Sequence, residues 1–127
     1  MPALSLNLLP EPYSVCRLRP GDPVPAPLGD AFSWVVAAHD EITAVCPEDR
    51  APAGAEVDAG WRCLRIDQSF TFDVPGILAA VLQPLAQAGI GIFATSTFST
   101  DYVLVKAARL EEAIAALEAA GHTIGRS

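Results

Sequence analysis

The chain has 127 residues, enough for one ordinary domain or two very small ones sharing a core. Half of it is hydrophobic and 18% is charged, which excludes a disordered chain, and a net charge of −7 with one lysine, Lys106, argues against a nucleic-acid partner. Three cysteines without CxxC spacing do not make a disulfide framework or a zinc knuckle, and no run approaches the ~20 apolar residues of a membrane span.

Eight of the 11 prolines come before residue 50, so the first half reads as short strands with proline punctuation. Leu4 to Leu9 and Ser14 to Leu18 alternate apolar and polar residues and predict two strands separated by Pro10-Glu11-Pro12. Arg19 to Asp30 holds four prolines and two glycines and is a loop. Phe32 to Ala38 and Ile42 to Cys46 predict a hairpin turning at His39-Asp40-Glu41. Pro47 to Gly60 is again loop-like.

The second half has stronger periodicity. Trp61 to Phe72 alternates as a long strand. Pro75 to Ala88 predicts a helix, with Ile77, Leu78, Val81, Leu82 and Leu85 on one stripe, Asp73 as its cap and Gly89 as its stop. Pro84 removes a hydrogen bond inside that helix, which predicts a kink or a loosened turn around Ala80. Ile90 to Phe98 and Tyr102 to Lys106 predict two strands. Arg109 to Ala120 predicts a helix with Leu110, Ile114 and Leu117 inward and Glu111, Glu112 and Glu118 in solvent. His122 to Ile124 is a short last strand. The order β-α-β-β-α-β predicts an α+β, ferredoxin-like antiparallel sheet with both helices on one face.

Two segments carry the functional signal. Asp73-Val74-Pro75-Gly76-Ile77 opens a helix, whose first N–H groups and partial positive charge suit a carboxylate. Thr97-Phe98-Ser99-Thr100-Asp101 joins two strands through a hydroxyl-rich turn and offers a carboxylate to an ammonium or guanidinium. Together they suit a free amino acid. Each residue also has a plain structural use: Asp73 as a cap, Gly76 for close helix packing, Asp101 as a turn residue, and Thr97 and Ser99 as turn hydrogen-bonders. Phe98 reads as half core and half pocket wall. His39 and His122 stand alone, so no metal site is expected. The cysteines read as small buried hydrophobes, and Trp34 and Trp61 as core or interface anchors. The absence of a basic n-region and an apolar h-region at the start implies a cytoplasmic protein.

Asp73-Val74-Pro75-Gly76-Ile77-Leu78, Ala88-Gly89-Ile90 and the run Ser96 to Val105 resemble the ACT domain, a small ferredoxin-like module that binds amino acids in metabolic regulators. Leu9 to Leu18 and Asp40 to Glu48 are similar to an abbreviated first unit of stand-alone tandem ACT proteins, akin to aspartate kinase regulatory regions and the cytosolic arginine sensors of animals. The resemblance implies a degenerate, strand-rich unit over residues 1–60, a complete ACT domain over residues 61–127, and a pocket between them. It implies that Gly76 and Ile77 hold the ligand carboxylate, that Thr97, Phe98 and Ser99 line the pocket, and that Asp101 takes the amino group or a basic side chain. Asp73 and Val74 sit at its lip. Gly91 departs from the Asn or Ser of many ACT domains. The expectation is a non-catalytic, allosteric amino-acid-binding regulator with no cofactor, acting as a homodimer or on a regulated metabolic protein. The alternative is a structural or dimerisation module with a vestigial pocket.

Overall fold

A computed structural model describes residues 2–24, 31–68, 70 and 73–126. The described elements run β1(Ser5–Leu18), β2(Trp34–Ala37), β3(Ile42–Pro47), β4(Glu56–Ile66), α1(Ile77–Gln87), β5(Ile92–Ser96), β6(Asp101–Lys106), α2(Leu110–Ala119) and β7(Thr123–Arg126). They group into two compact units, Met1–Pro10 with Arg62–Ser127, and Glu11–Trp61. The first ten residues, placed by sequence in the amino-terminal unit, thus group with the carboxy-terminal half.

The first unit is an α+β fold in which β4-α1-β5-β6-α2-β7 gives the expected β-α-β-β-α-β order. Its strands lie as β1-β4-β6-β5, with β7 on β1. The leading segment of β1 therefore stands between β4 and β7. It pairs with β7 in parallel, Ser5 opposite Thr123 and Leu8 opposite Arg126, whereas β5 and β6 form an antiparallel hairpin. Leu4, Leu6 and Leu8 fill one core with Leu64 and Ile66 of β4, Val81 and Leu85 of α1, Val103 and Val105 of β6, and Leu110, Ile114 and Leu117 of α2. The two predicted helical stripes face this core, and Ala80 of α1 and Ala113 of α2 join them.

Both helices end alike. Gly89 has φ +73°, its N–H reaches the Ala86 carbonyl, and the Ile90 N–H reaches the Leu85 carbonyl at 2.9 Å. Gly121 has φ +99°, its N–H reaches Glu118, and the His122 N–H reaches Leu117 at 3.1 Å. Each is a Schellman motif that closes the last turn.

The second motif delivers His122 to the core, where it is 5% exposed. Its Nδ1 accepts the Leu4 backbone N–H at 3.1 Å, and its Nε2 lies 2.8 Å from the Ala80 carbonyl. Leu4 N–H can only donate, so Nδ1 is the acceptor, and the proton sits on Nε2 and points at Ala80. Ala80 is the residue four before Pro84, whose missing N–H would otherwise bond that carbonyl. The helix stays continuous through Pro84. Sequence marked the defect but not the side chain that repairs it.

The start of α1 also differs from expectation. Gly76, not Asp73, is the cap, with φ, ψ of +81° and 5°. Those angles are those of the third residue of a type II turn, which Pro-Gly favours. Pro75-Gly76 therefore makes the turn before the helix rather than its first turn.

In the unit Glu11–Trp61, β1 pairs antiparallel with β3 from Tyr13–Pro47 to Leu18–Ile42, and β3 pairs with β2 from Trp34–Val45 to Ala37–Ile42. The predicted hairpin stands. β1 is one strand, not two. Pro10 and Pro12 fall between its β7-paired and β3-paired stretches, so neither β7 nor β3 requires their N–H groups. β4 starts at Glu56, inside the predicted loop, and Gly60 bends it at φ +83° with its N–H on Glu48 Oε2 at 2.6 Å. The strand predicted to reach Phe72 ends at Ile66, and residues 69, 71 and 72 lie outside the described residues, as does 25–30 of the proline loop. Cys16 and Cys46 are buried with Leu18, Ile42 and Ala44. Burial first, then the neighbouring Cys16, pushes the Cys46 thiol from its ordinary 9.0 up to about 11. Among the described residues no helix is long and apolar enough to cross a membrane.

Two outcomes are expected. His122→Ala destabilises the protein in urea titrations by about 1–3 kcal/mol, the cost of stranding buried polar groups. In a Pro84→Ala background the backbone N–H restored at that position takes over the Ala80 carbonyl, so the cost of His122→Ala shrinks; equal costs in both backgrounds would refute the link. Cys46 resists iodoacetamide at pH 8 in the native state and labels on unfolding. Because its folded pKa lies above the unfolded one, its contribution to stability is present below about pH 9 and falls as pH rises toward 11.

Candidate functional site

The β5–β6 hairpin sets up the site. Ser96 pairs with Asp101 as the last rung, so the four residues 97–100 form the connecting turn. The Thr97 N–H donates to the Thr100 carbonyl at 2.8 Å, the Thr97 hydroxyl donates to the same carbonyl at 3.2 Å, and the Thr100 N–H lies 3.4 Å from Thr97 Oγ1. Thr100 is buried, and its hydroxyl donates to the Ile66 carbonyl at the end of β4 at 2.6 Å. That bond fixes the turn to the neighbouring strand. The Ser96 hydroxyl donates to Asp101 Oδ1, holding the carboxylate at the head of β6.

A hollow of about 210 Å³ lies against this turn. Ser96, Thr97, Phe98, Ser99, Thr100 and Asp101 line one side, and Val74, Ile77 and Phe70 the other. All of them belong to the unit Met1–Pro10 with Arg62–Ser127. Of the residues singled out by sequence, the structure brings Val74, Ile77, Thr97, Phe98, Ser99 and Asp101 together around this space. Asp73 and Gly76 are not among the lining residues; Gly76 stands between Val74 and Ile77 in the chain and shapes the entry to α1. Thr97 takes the turn-bonding use of its hydroxyl. Phe98 is 84% exposed and so is rim rather than half core.

Phe70 was not singled out, and Ser96 and Thr100 stood only within the motif, with no role in the site. Ser96 had a usable signal, because a two-strand hairpin around Thr97–Thr100 puts it opposite Asp101. The inward turn of Thr100 and the approach of Phe70 depend on tertiary packing.

The electrostatics of the hollow are one-sided. Asp101 is the one charged side chain among its described lining residues. Arg65 on β4 is engaged elsewhere: its Nε donates to the Tyr102 hydroxyl at 3.2 Å and its Nη1 lies 2.5 Å from Asp67 Oδ1. Tyr102 first, then Asp67, keeps this guanidinium more firmly protonated than usual. The first main-chain bond of α1 runs from the Ala80 N–H to the Gly76 carbonyl at 3.0 Å, so the N–H groups of Ile77, Leu78 and Ala79 precede the helical ladder. Gly76 carries no side chain to cap them. A lone carboxylate thus shares the neighbourhood of Ile77 with the positive end of a helix. The arrangement fits a zwitterion.

Residues 56–119 match the family model described as the ACT domain. Over 100% of the chain and 96% of its counterpart, the fold superposes with a TM-score of 0.91 and 37% identity on a solved protein from Agobacterium tumefaciens. A Vibrio cholerae protein of unknown function, described as a possible transport protein, has TM-score 0.71 and 20% identity over 94% of this chain and 91% of its own. The ligand-free regulatory subunit of aspartate kinase from Thermus thermophilus has TM-score 0.64 and 15% identity over 94% and 99%. The last two likenesses concern the fold. No curated protein matches the chain.

Thr100→Val keeps the side-chain shape but strands the Ile66 carbonyl, and is expected to lower stability in urea titrations by about 1–3 kcal/mol. Phe98→Ala, at an exposed position, is expected to stay within about 0.5 kcal/mol of the parent. A larger loss for Phe98 than for Thr100 would show that the turn is held by its rim instead of by its buried hydroxyl.

Proposed function

Because the chain belongs to the ACT domain family, whose members are regulatory ligand-binding modules, we propose that it is a non-catalytic sensor of a free amino acid. The supporting observation is the hollow that sets Asp101 near the uncapped start of α1. In this reading the ligand carboxylate meets the N–H groups around Ile77, with Gly76 and Asp73 shaping that approach. Asp101 receives the ammonium or a basic side chain, and Val74, Thr97, Phe98 and Ser99 surround the remainder. A lining with a carboxylate and no described basic side chain favours a basic or neutral amino acid over an acidic one. Nothing in this scheme calls for bond making. The ligand regulates by stabilising the form that holds it, and the regulated partner is a second copy or a metabolic protein. Residues 11–61 form strands and a short 3-10 turn, without an α-helix among the described residues. That supports reading them as an abbreviated first ACT-like unit.

A second reading is favoured by the sheet margin. Among the described residues β5 is an edge strand, with Ile92 and Phe98 exposed on or beside it. A sheet edge with apolar side chains suits pairing with another chain, which would make the protein a dimerisation module whose hollow is vestigial.

Thermal melts with each of the twenty amino acids separate the two. At a ligand concentration of about 100 Kd, binding adds about 2.7 kcal/mol, a rise in Tm on the order of 10 °C for a chain of this size. One or a few basic or neutral amino acids should give such a rise, and Asp101→Asn should abolish it while leaving the unliganded melt in place. Flat melts for all twenty, with a mass that doubles on concentration, would replace the sensor with the dimerisation module.

A further inference from the structure

A second candidate site lies in the unit Glu11–Trp61, apart from any residue of the hollow beside Asp101. Its walls are three turns. Leu18 of β1 pairs with Ile42 of β3, and Ile42 pairs with Ala37 of β2, so these three strands end level. The turn after β1 is closed by the Asp22 N–H on the Arg19 carbonyl at 3.1 Å and by the Arg19 N–H on Asp22 Oδ2 at 3.0 Å. The β2–β3 turn is closed by the Ala38 N–H on the Glu41 carbonyl at 2.9 Å. A third, with Gly54 at φ +81°, is closed by the Ala55 N–H on the Pro52 carbonyl at 3.4 Å. Each wall is held by its own hydrogen bonds, so the space among them exists before any ligand arrives.

Two hollows meet there, of about 460 and 520 Å³, sharing Leu18, Arg19, Asp22 and Gly54. The first is charged. Arg17 Nη2 lies 2.5 Å from Glu56 Oε1, and Arg19 Nε lies 3.5 Å from Asp22 Oδ2. Asp40 and Glu41 complete the set, so four carboxylates face two guanidiniums, an excess of two negative charges. Glu56 first, and Glu41 more weakly, raise the Arg17 pKa further, which places both carboxylates within electrostatic reach of that guanidinium. The second hollow is apolar, bordered by Pro23, Val24, Pro52 and Ala53. Among the described residues no three His, Cys, Asp or Glu side chains converge as metal ligands, so the excess charge is spread along the groove rather than focused on a point. A spread charge beside an apolar wall matches an organic cation better than a metal ion.

We propose that this groove binds a small organic amine, with its ammonium beside Asp40 and Glu41 and its apolar group on the Pro23, Val24, Pro52 and Ala53 wall.

The test uses the full chain, labelled with nitrogen-15, titrated with 2-phenylethylamine and followed by two-dimensional NMR. Amide shifts should move in segments 18–24, 38–42 and 52–56 and saturate at millimolar concentration. 3-Phenylpropionate, which carries a carboxylate in place of the amine, and methylammonium, which lacks the apolar group, should each bind much more weakly. Asp40→Asn with Glu41→Gln should weaken 2-phenylethylamine roughly fivefold to tenfold, as expected for the loss of two surface ion pairs. Equal binding of 3-phenylpropionate, an unchanged affinity in the double variant, or shifts confined to segments 70–77 and 96–101 would overturn the proposal. The last pattern would instead assign the amine to the hollow beside Asp101, so the two sites are read separately.

Discussion

One imidazole holds together what a proline would pull apart. Pro84 leaves a carbonyl without its donor in the middle of α1, a helix buried against the sheet, where an unsatisfied carbonyl costs about 1–3 kcal/mol. His122 supplies the missing donor and uses its other nitrogen to accept from Leu4. The ring therefore links the middle of α1, the end of α2 and the approach to β1. It can do so because the Schellman turn at Gly121 aims the next residue inward. The start of α1 borders the hollow through Val74 and Ile77, so the tie that steadies this helix also steadies one wall of the candidate site.

The hollow is lined by four hydroxyl side chains, but three are already engaged. Thr97 closes its own turn, Thr100 bonds Ile66, and Ser96 bonds Asp101. The groups that would be left to recognise a ligand are the Ser99 hydroxyl, the carboxylate of Asp101 and the backbone N–H groups at the beginning of α1. Recognition by one anion and one helix end reads the charges on a ligand's backbone well and its side chain poorly. Selectivity among amino acids would then come from the apolar members, Phe70, Val74 and Phe98, and from the limited volume.

The sequence was most legible where periodicity was strong. The stripe from Ile77 to Leu85, the inward Leu110, Ile114 and Leu117, and the hairpin around residues 97–100 all needed only local spacing. The same topology put Val74 and Ile77 in reach of the Thr97–Asp101 segment. What was illegible depended on distant partners. Pro10 and Pro12 looked like a break because nothing local reveals that β1 changes neighbours between them. Asp73 looked like a cap because local preference cannot weigh it against the Pro75-Gly76 turn that begins the helix later. His122 looked isolated because its partners are 118 and 42 residues away. The placement of β1 between β4 and β7 likewise leaves no mark in local alternation.

That last feature has a mechanical consequence. β1 and β7 run side by side in the same direction, bonded from Ser5–Thr123 to Leu8–Arg126. Tension that draws the leading end of β1 and the trailing end of β7 apart would slide the two strands along each other. In that shear geometry the rungs share the load and must break together, whereas an antiparallel pair pulled from one end opens one rung at a time. The outer seam of this unit is therefore built to resist stretching along the chain.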